Sequence, residues 1–225
     1  MSSKERLRSW FMEHITLHQY EDDRTELANG LTHLLGAVLS LFALVAIVLR
    51  TLENGSTQMM AGGIIFGCTM LLLYLSSSMY HLVKGPLIKR IMRIMDHTTI
   101  YMLIAGTYTP VMLYAGSRPA IAVLIAVWSL TVIGAAFTLL FWGRYGALHV
   151  LFYIAMGWMI VLIWDSLQHQ IPLDFVYWAI AGGLTYTSGT LVYAAKKIPY
   201  YHAIWHLFVV GGSVSFFIGI YRYLL

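Results

Sequence analysis

Apolar positions in this chain fall in continuous stretches rather than in alternation. Seven stretches lie at roughly 27–50, 58–82, 98–116, 119–142, 147–166, 174–195 and 202–224. Each is long enough to cross a hydrocarbon core about 30 Å thick as a helix rising about 1.5 Å per residue. In lipid only helices and closed barrels satisfy their own backbone, and unbroken apolar runs do not suit a barrel. The pattern predicts an all-α integral membrane protein, a seven-transmembrane helix bundle. The connections Glu53-Asn54-Gly55-Ser56, Gly143-Arg144-Tyr145-Gly146 and Lys196-Lys197-Ile198-Pro199 are short and polar, with no room for a second domain. Residues 1–26 then form a tail and residues 27–225 the transmembrane domain. The tail shows no short apolar region ending at a small-residue cleavage site, so the first span is expected to be retained. Within it, residues 4–18 read in two ways. One is a short interfacial helix with Leu7, Trp10, Phe11 and Ile15 near one face; the other is a poorly ordered segment.

Composition supports the membrane reading. Of 225 residues, 59% are hydrophobic and only 11% carry Asp, Glu, Lys or Arg, against about one quarter charged in a soluble domain. The mean hydropathy is +0.72. These values exclude an ordinary soluble enzyme, a disordered chain and a nucleic-acid binder. The net charge of +4 reads instead as basic loops against an anionic membrane surface. Numbering the sides by alternating the loops puts eleven of the 14 Lys and Arg residues on the side of the N-terminal tail and leaves Arg50, Arg118 and Arg222 on the other. That bias predicts a cytoplasmic N-terminus and a C-terminus outside. The single Cys68 rules out an intramolecular disulfide and a Cys-rich metal knuckle. Gly62, Gly63, Gly67, Gly182, Gly183, Gly211, Gly212 and Gly219 permit close helix approach, and Pro110 is expected to kink the third span.

The histidines carry the candidate chemistry. By this topology eight of the nine lie on or near the cytoplasmic side, His169 being the exception. The second span ends in Ser76-Ser77-Ser78-Met79-Tyr80-His81, the third opens with Asp96-His97-Thr98-Thr99, and the seventh opens with Tyr201-His202-Ala203-Ile204-Trp205-His206. His202 and His206 are four apart and share one helix face, as do Ser77 and His81. All three segments reach one membrane depth. Three imidazoles with an open fourth position suit a catalytic zinc, with Asp96 as general base and Ser77 positioning water or a substrate carbonyl. Other readings are a structural zinc closed by Asp96 as fourth ligand, histidines that only pack or face the surface, and a bis-histidine haem, against which the extra carboxylate speaks. Glu26, Asn29 and His33 form a polar stripe at the entrance of the first span. Glu26 reads as an N-terminal residue favoured by the helix dipole, and His33 is left unassigned. His97 points about 100° from Asp96 on a helix and reads as packing or interfacial; His149 reads as a surface loop residue.

Ser77-x-x-x-His81, the stretch from Asp96 through Tyr108-Thr109-Pro110, and His202-Ala203-Ile204-Trp205-His206 resemble the haemolysin III family, the bacterial branch of the adiponectin and progestin receptor superfamily. The resemblance runs from about Glu26 to the C-terminus. It implies seven helices with a cytoplasmic N-terminus and location in a bacterial plasma (inner) membrane. It implies a zinc near the cytoplasmic face held by residues matching His81, His202 and His206, with Asp96 and Ser77 at its water. Animal relatives are receptors linked to ceramidase activity, and bacterial members are associated with membrane-lipid homeostasis and, in name, haemolysis. The large terminal extensions of the animal receptors have no counterpart here, which speaks against hormone binding.

Three functions follow as expectations. The first is a zinc-dependent intramembrane hydrolase with a membrane lipid amide or ester as substrate, working in a cavity open toward the cytoplasm. The second is a non-enzymatic, zinc-clamped sensor or regulator of membrane state, and the third a pore. All ten acidic residues sit at span ends or in loops, whereas an ion path places ionisable groups near the midplane.

Overall fold

The apolar stretches are helical throughout the computed structural model, which describes residues 2–18, 22–54, 56–144 and 146–225, and no strand occurs among them. Gly55 and Tyr145, each in a predicted connection, and residues 1 and 19–21 of the tail lie outside the described residues. The helices are α1 Ser3–His14, α2 Asp23–Asn54, α3 Thr57–Leu82, α4 Pro86–Ala115, α5 Arg118–Leu140, α6 Gly146–Gly157, α7 Trp164–Leu167, α8 Leu173–Ala194 and α9 Tyr201–Tyr223, with a 3-10 turn at Met159–Ile163 between α6 and α7. Each of α3 to α5 packs on its predecessor, α1 lies on α4, α8 packs on α9, and α9 returns to α2. The bundle is therefore a ring closed by its last helix.

Polarity is arranged for a hydrocarbon surrounding. Phe42 is 69% exposed and Leu162 78%, while Asn29, His33, Ser77, His81, Asp96, His202 and His206 are buried. Water would reverse that distribution. Five segments are long and apolar enough to cross a membrane: Asp23–Glu53, Thr57–Leu82, Arg118–Leu140, Gly146–Leu167 and Tyr201–Tyr223. The chain is a membrane protein with several apolar helices. α4, of 30 residues, and α8, of 22, are also long enough, but Thr, Tyr and Gly in their middles dilute their hydropathy. Many buried hydroxyls turn back to carbonyls of their own helix, as Ser40 does to Gly36 and Thr107 to Leu103, so these need no partner from lipid.

Three boundaries differ from the sequence pattern. α1 is a regular helix, opened by a capping box in which the Ser2 hydroxyl accepts from the Glu5 amide and the Glu5 carboxylate accepts from the Ser2 amide. α4 begins at Pro86, twelve residues before the apolar run, because its first turns carry Lys89, Arg90, Arg93 and Asp96. The fifth stretch breaks at the 3-10 turn within an entirely apolar Met159–Ile163. Tyr108 repairs this break: its hydroxyl accepts from the Ile160 amide at 2.9 Å and donates to the Gly157 carbonyl at 2.9 Å. Backbone groups freed inside a membrane bundle need such partners. Pro110 is accommodated without ending α4.

Close approach is tightest at Gly106, where a Cβ would lie 2.0 Å from the Thr69 hydroxyl oxygen, whereas at Gly211 it would meet only Thr185 Cγ2 at 3.5 Å. Gly106→Ala is expected to destabilise the bundle by about 1–3 kcal/mol through overpacking. Gly211→Ala should be close to neutral. Thermal unfolding in detergent of the two variants beside the parent checks the contrast.

Candidate metal centre

Two helix ends build the cluster. His81 lies in the last turn of α3, and His202 and His206 occupy the first two turns of α9. A tight loop delivers α9: Tyr200, in the left-handed region at φ 55°, is its N-cap. One turn of helix separates His202 from His206, so both rings face inward toward His81. All three residues are buried, and one ligand atom from each lies within 4.8 Å of the other two. The ring centroids are 4.5 Å apart for His202 and His206, and 5.2 and 5.4 Å from His81 to each.

The next layer sets which nitrogen is offered. His81 Nδ1 donates to Glu26 Oε2 at 2.8 Å, and Lys89 Nζ donates to Glu26 Oε1 at 2.9 Å. His206 Nδ1 donates to the Asn29 carbonyl at 3.0 Å, with the Thr32 hydroxyl 3.1 Å away. A histidine whose Nδ1 carries the proton presents a lone pair at Nε2, and this carboxylate or carbonyl backing is the usual second layer of a metal-ligating imidazole. The buried Nε2 of His206 has no hydrogen-bond partner among the described residues. The donor set therefore fits a cation: the three buried histidines are able to hold a metal ion. Glu26 corrects the sequence reading, since its carboxylate orients His81 rather than merely favouring a helix end. The stripe of Glu26, Asn29 and His33 was the available signal. His33 stacks face to face on His206, with centroids 3.5 Å apart and planes 19° from parallel.

Asp96 and Ser77 reach the same place. Asp96, buried on α4, interacts electrostatically with His81, His202 and His206. The buried Ser77 hydroxyl lies beside that carboxylate, with no hydrogen bond of normal length among the described residues. His97 bends back so that Nδ1 is 3.5 Å from Asp96 Oδ2, and its ring packs on Trp142 at 5.4 Å. The 100° separation of adjacent helix positions is thus overcome by side-chain reach. His149 lies in α6, half-buried, with Nδ1 2.9 Å from the Tyr101 hydroxyl; it is neither in a loop nor a surface residue. His14 and His169 are exposed.

A cavity of about 350 Å³ adjoins the cluster, its wall including His33, Asp96 and Trp205 at one end and Val111, Met112 and Phe175 farther along. Between Asp96 and Val111 it follows about 22 Å of α4 at 1.5 Å per residue. Its lining is overwhelmingly apolar, and the exposed Val161 and Ile180 are part of it. At the end of the bundle that carries α1, a strap from Ile15 to His18 crosses α4. Arg90 Nε donates to the Ile15 carbonyl at 2.9 Å, Arg93 donates to the Thr16 carbonyl, and the His18 amide donates to the Tyr80 hydroxyl. Desolvation against the bundle, followed by the charge of Arg93, lowers the His18 imidazole to about 4 although the residue keeps an exposed side. The sequence reading had not anticipated this strap beside Asp96.

The chain matches the model of the Haemolysin-III related family over residues 22–217. It is 36% identical over 203 residues to "Hemolysin-3" of Bacillus cereus, covering 90% of this chain and 93% of that protein. It is 40% identical over 196 residues to "Hemolysin-3 homolog" of Bacillus subtilis (strain 168), covering 86% and 92%. A more distant similarity, 28% over 167 residues, links it to the human "Monocyte to macrophage differentiation factor", covering 71% and 69%.

Metal analysis of purified protein checks the centre. The parent is expected to carry about one ion per chain, and His81→Ala, His202→Ala and His206→Ala close to none. Glu26→Gln, which keeps the ligands but weakens their backing, should lower metal affinity by about 10–100-fold.

Proposed function

We propose that this chain, which belongs to the haemolysin III family, is a zinc-dependent hydrolase that cleaves an amide or ester bond of a lipid inside the membrane. The observation that carries the reading is adjacency: Asp96 and His33 line one end of an apolar cavity, and both neighbour the three-histidine cluster, Asp96 through its charge and His33 by stacking on His206. Three imidazoles suit zinc, as they also suit copper, iron and nickel; zinc is preferred because hydrolysis calls for a Lewis acid without redox change. When bound, zinc supplies Lewis acidity toward a carbonyl and lowers the pKa of a water in its open position.

The chain's own groups do the rest. His81, His202 and His206 hold the ion, while Glu26 and the Asn29 carbonyl keep two of the rings in the correct tautomer. Asp96 lies in the cavity wall, which suits proton handling better than closing the ligand shell. It takes a proton from the attacking water and returns it to the departing nitrogen or oxygen. Ser77, beside that carboxylate, orients it or the carbonyl. The cavity, of a size that takes one small amphiphile, binds the acyl chain and excludes bulk water.

In this reading α2, α3, α4, α5, the broken α6–α7 segment, α8 and α9 are seven spans. The excess of Lys and Arg at the α1 end supports a cytoplasmic N-terminus and a C-terminus outside, in the plasma membrane of a bacterium. α1 lies in the interface: Leu7 and Trp10 expose apolar surface beside Lys4, Arg6 and Arg8. The product would be a fatty acid released at the inner leaflet, a contribution to membrane-lipid homeostasis.

Zinc-loaded protein in detergent, given a panel of long-chain acyl amides and esters, tests this reading. Fatty-acid release is expected from the parent, and Asp96→Asn should lose about 10²-fold or more with metal content unchanged. No release from fully loaded parent, or equal release from Asp96→Asn, contradicts it.

A further inference from the structure

We propose that His33 is a specificity-determining residue of the cavity, hydrogen-bonding a neutral polar group, a hydroxyl or an amide, of the molecule whose chain lies there. The inference rests on the proposed reading of the cavity as a lipid site. His33 is 1% exposed, and neither of its ring nitrogens has a hydrogen-bond partner among the described residues. Buried polar groups without partners are rare and costly. His33 nevertheless forms part of the cavity wall. Its plane is fixed by the flat stack on His206 at 3.5 Å and by the edge-on Tyr74 ring at 5.0 Å. Since the nitrogens of an imidazole lie in the ring plane, a neutral ring held this way directs one donor and one acceptor past His206 rather than at it; both are sealed by the present wall, so an occupant's polar group reaches them only by displacing a neighbouring side chain.

The rest of the wall narrows what it recognises. The three tyrosines of the wall are already engaged: Tyr108 with the Gly157 carbonyl, Tyr153 with the His97 carbonyl and Tyr186 with Ser213. No Lys or Arg lines the cavity, and one carboxylate, Asp96, does. Apart from an ion held by the histidine cluster, a carboxylate or phosphate beside His33 would find no cation in the wall and would face Asp96, so the group that His33 takes is uncharged. Its position against a ring of the histidine cluster puts that group beside the bond to be cleaved. His33 thereby selects lipids bearing a hydroxyl or amide close to the scissile carbonyl.

The test uses full-length, zinc-loaded protein in detergent and two probes of equal chain length, a long-chain N-(2-hydroxyethyl) acyl amide and its N-ethyl counterpart. Binding is read from tryptophan fluorescence, since Trp158, Trp164 and Trp205 line the cavity. The parent is expected to prefer the hydroxylated probe by about 5–10-fold, as one neutral hydrogen bond allows. His33→Phe keeps a ring on His206 and should bring the ratio to about one. His33→Asn, which retains a donor and an acceptor, should restore part of the preference. Both should keep the parent's metal content, and His33→Leu carries the same test if His33→Phe does not accumulate folded. A preference unchanged in His33→Phe, or absent from a parent that binds both probes, overturns the proposal. Metal lost from the Phe, Leu and Asn variants alike also overturns it, since His33 would then be a prop for the cluster. A parent that binds neither probe removes the lipid reading of the cavity and this inference with it.

Discussion

An imidazole inside a helix bundle surrounded by hydrocarbon has to find partners within the protein, because the surroundings supply none. Three buried imidazoles drawn to one point intensify that demand. The bundle meets it in layers. Glu26 and the Asn29 carbonyl, both from α2, take the Nδ1 protons of His81 and His206, and Lys89 of α4 balances the Glu26 carboxylate. α2 lies against α3 and α9 in the closed ring, so it can back ligands from both. What remains facing the centre is a set of donors that a cation satisfies better than any further side chain.

The same constraint explains the shape of the molecule around the centre. Helices that meet through glycine, as α4 meets α3 at Gly106, leave little space between them. The α6–α7 segment packs sparsely on its neighbours, and its 3-10 turn contributes Ile160 and Val161 to the cavity wall. That irregularity is tolerable in a membrane bundle because Tyr108 serves both backbone groups beside the break. Space for a chain and a dry, polar end to the cavity thus come from different parts of the ring, joined along α4, which carries Asp96 and Tyr108 three turns apart.

Much of this was legible in the amino-acid order. The four-residue spacing of His202 and His206 implies one face, and the alternation of spans puts His81 and Asp96 at the same depth. Glu26 was harder. A sequence reveals that it shares a stripe with Asn29 and His33, but not that an imidazole 55 positions later meets it. The first turns of α4 are polar because Arg90 and Arg93 hold the strap, so no apolar run announces them. The 3-10 turn lies in Met159-Ile160-Val161-Leu162-Ile163, which contains no glycine, proline or polar residue to mark it. Helix angle rightly kept His97 out of the cluster, where its ring packs on Trp142, but did not reveal that its Nδ1 lies 3.5 Å from the carboxylate of the preceding residue.

X-ray absorption at the metal edge of the purified protein tests the central claim most directly, because it reads the ligands themselves. The account requires one zinc whose first shell consists of nitrogen and oxygen, with outer-shell scattering that fits three imidazoles in the parent and fewer in His206→Ala. A preparation without metal, a shell containing sulfur, or a spectrum unchanged by His206→Ala would contradict it.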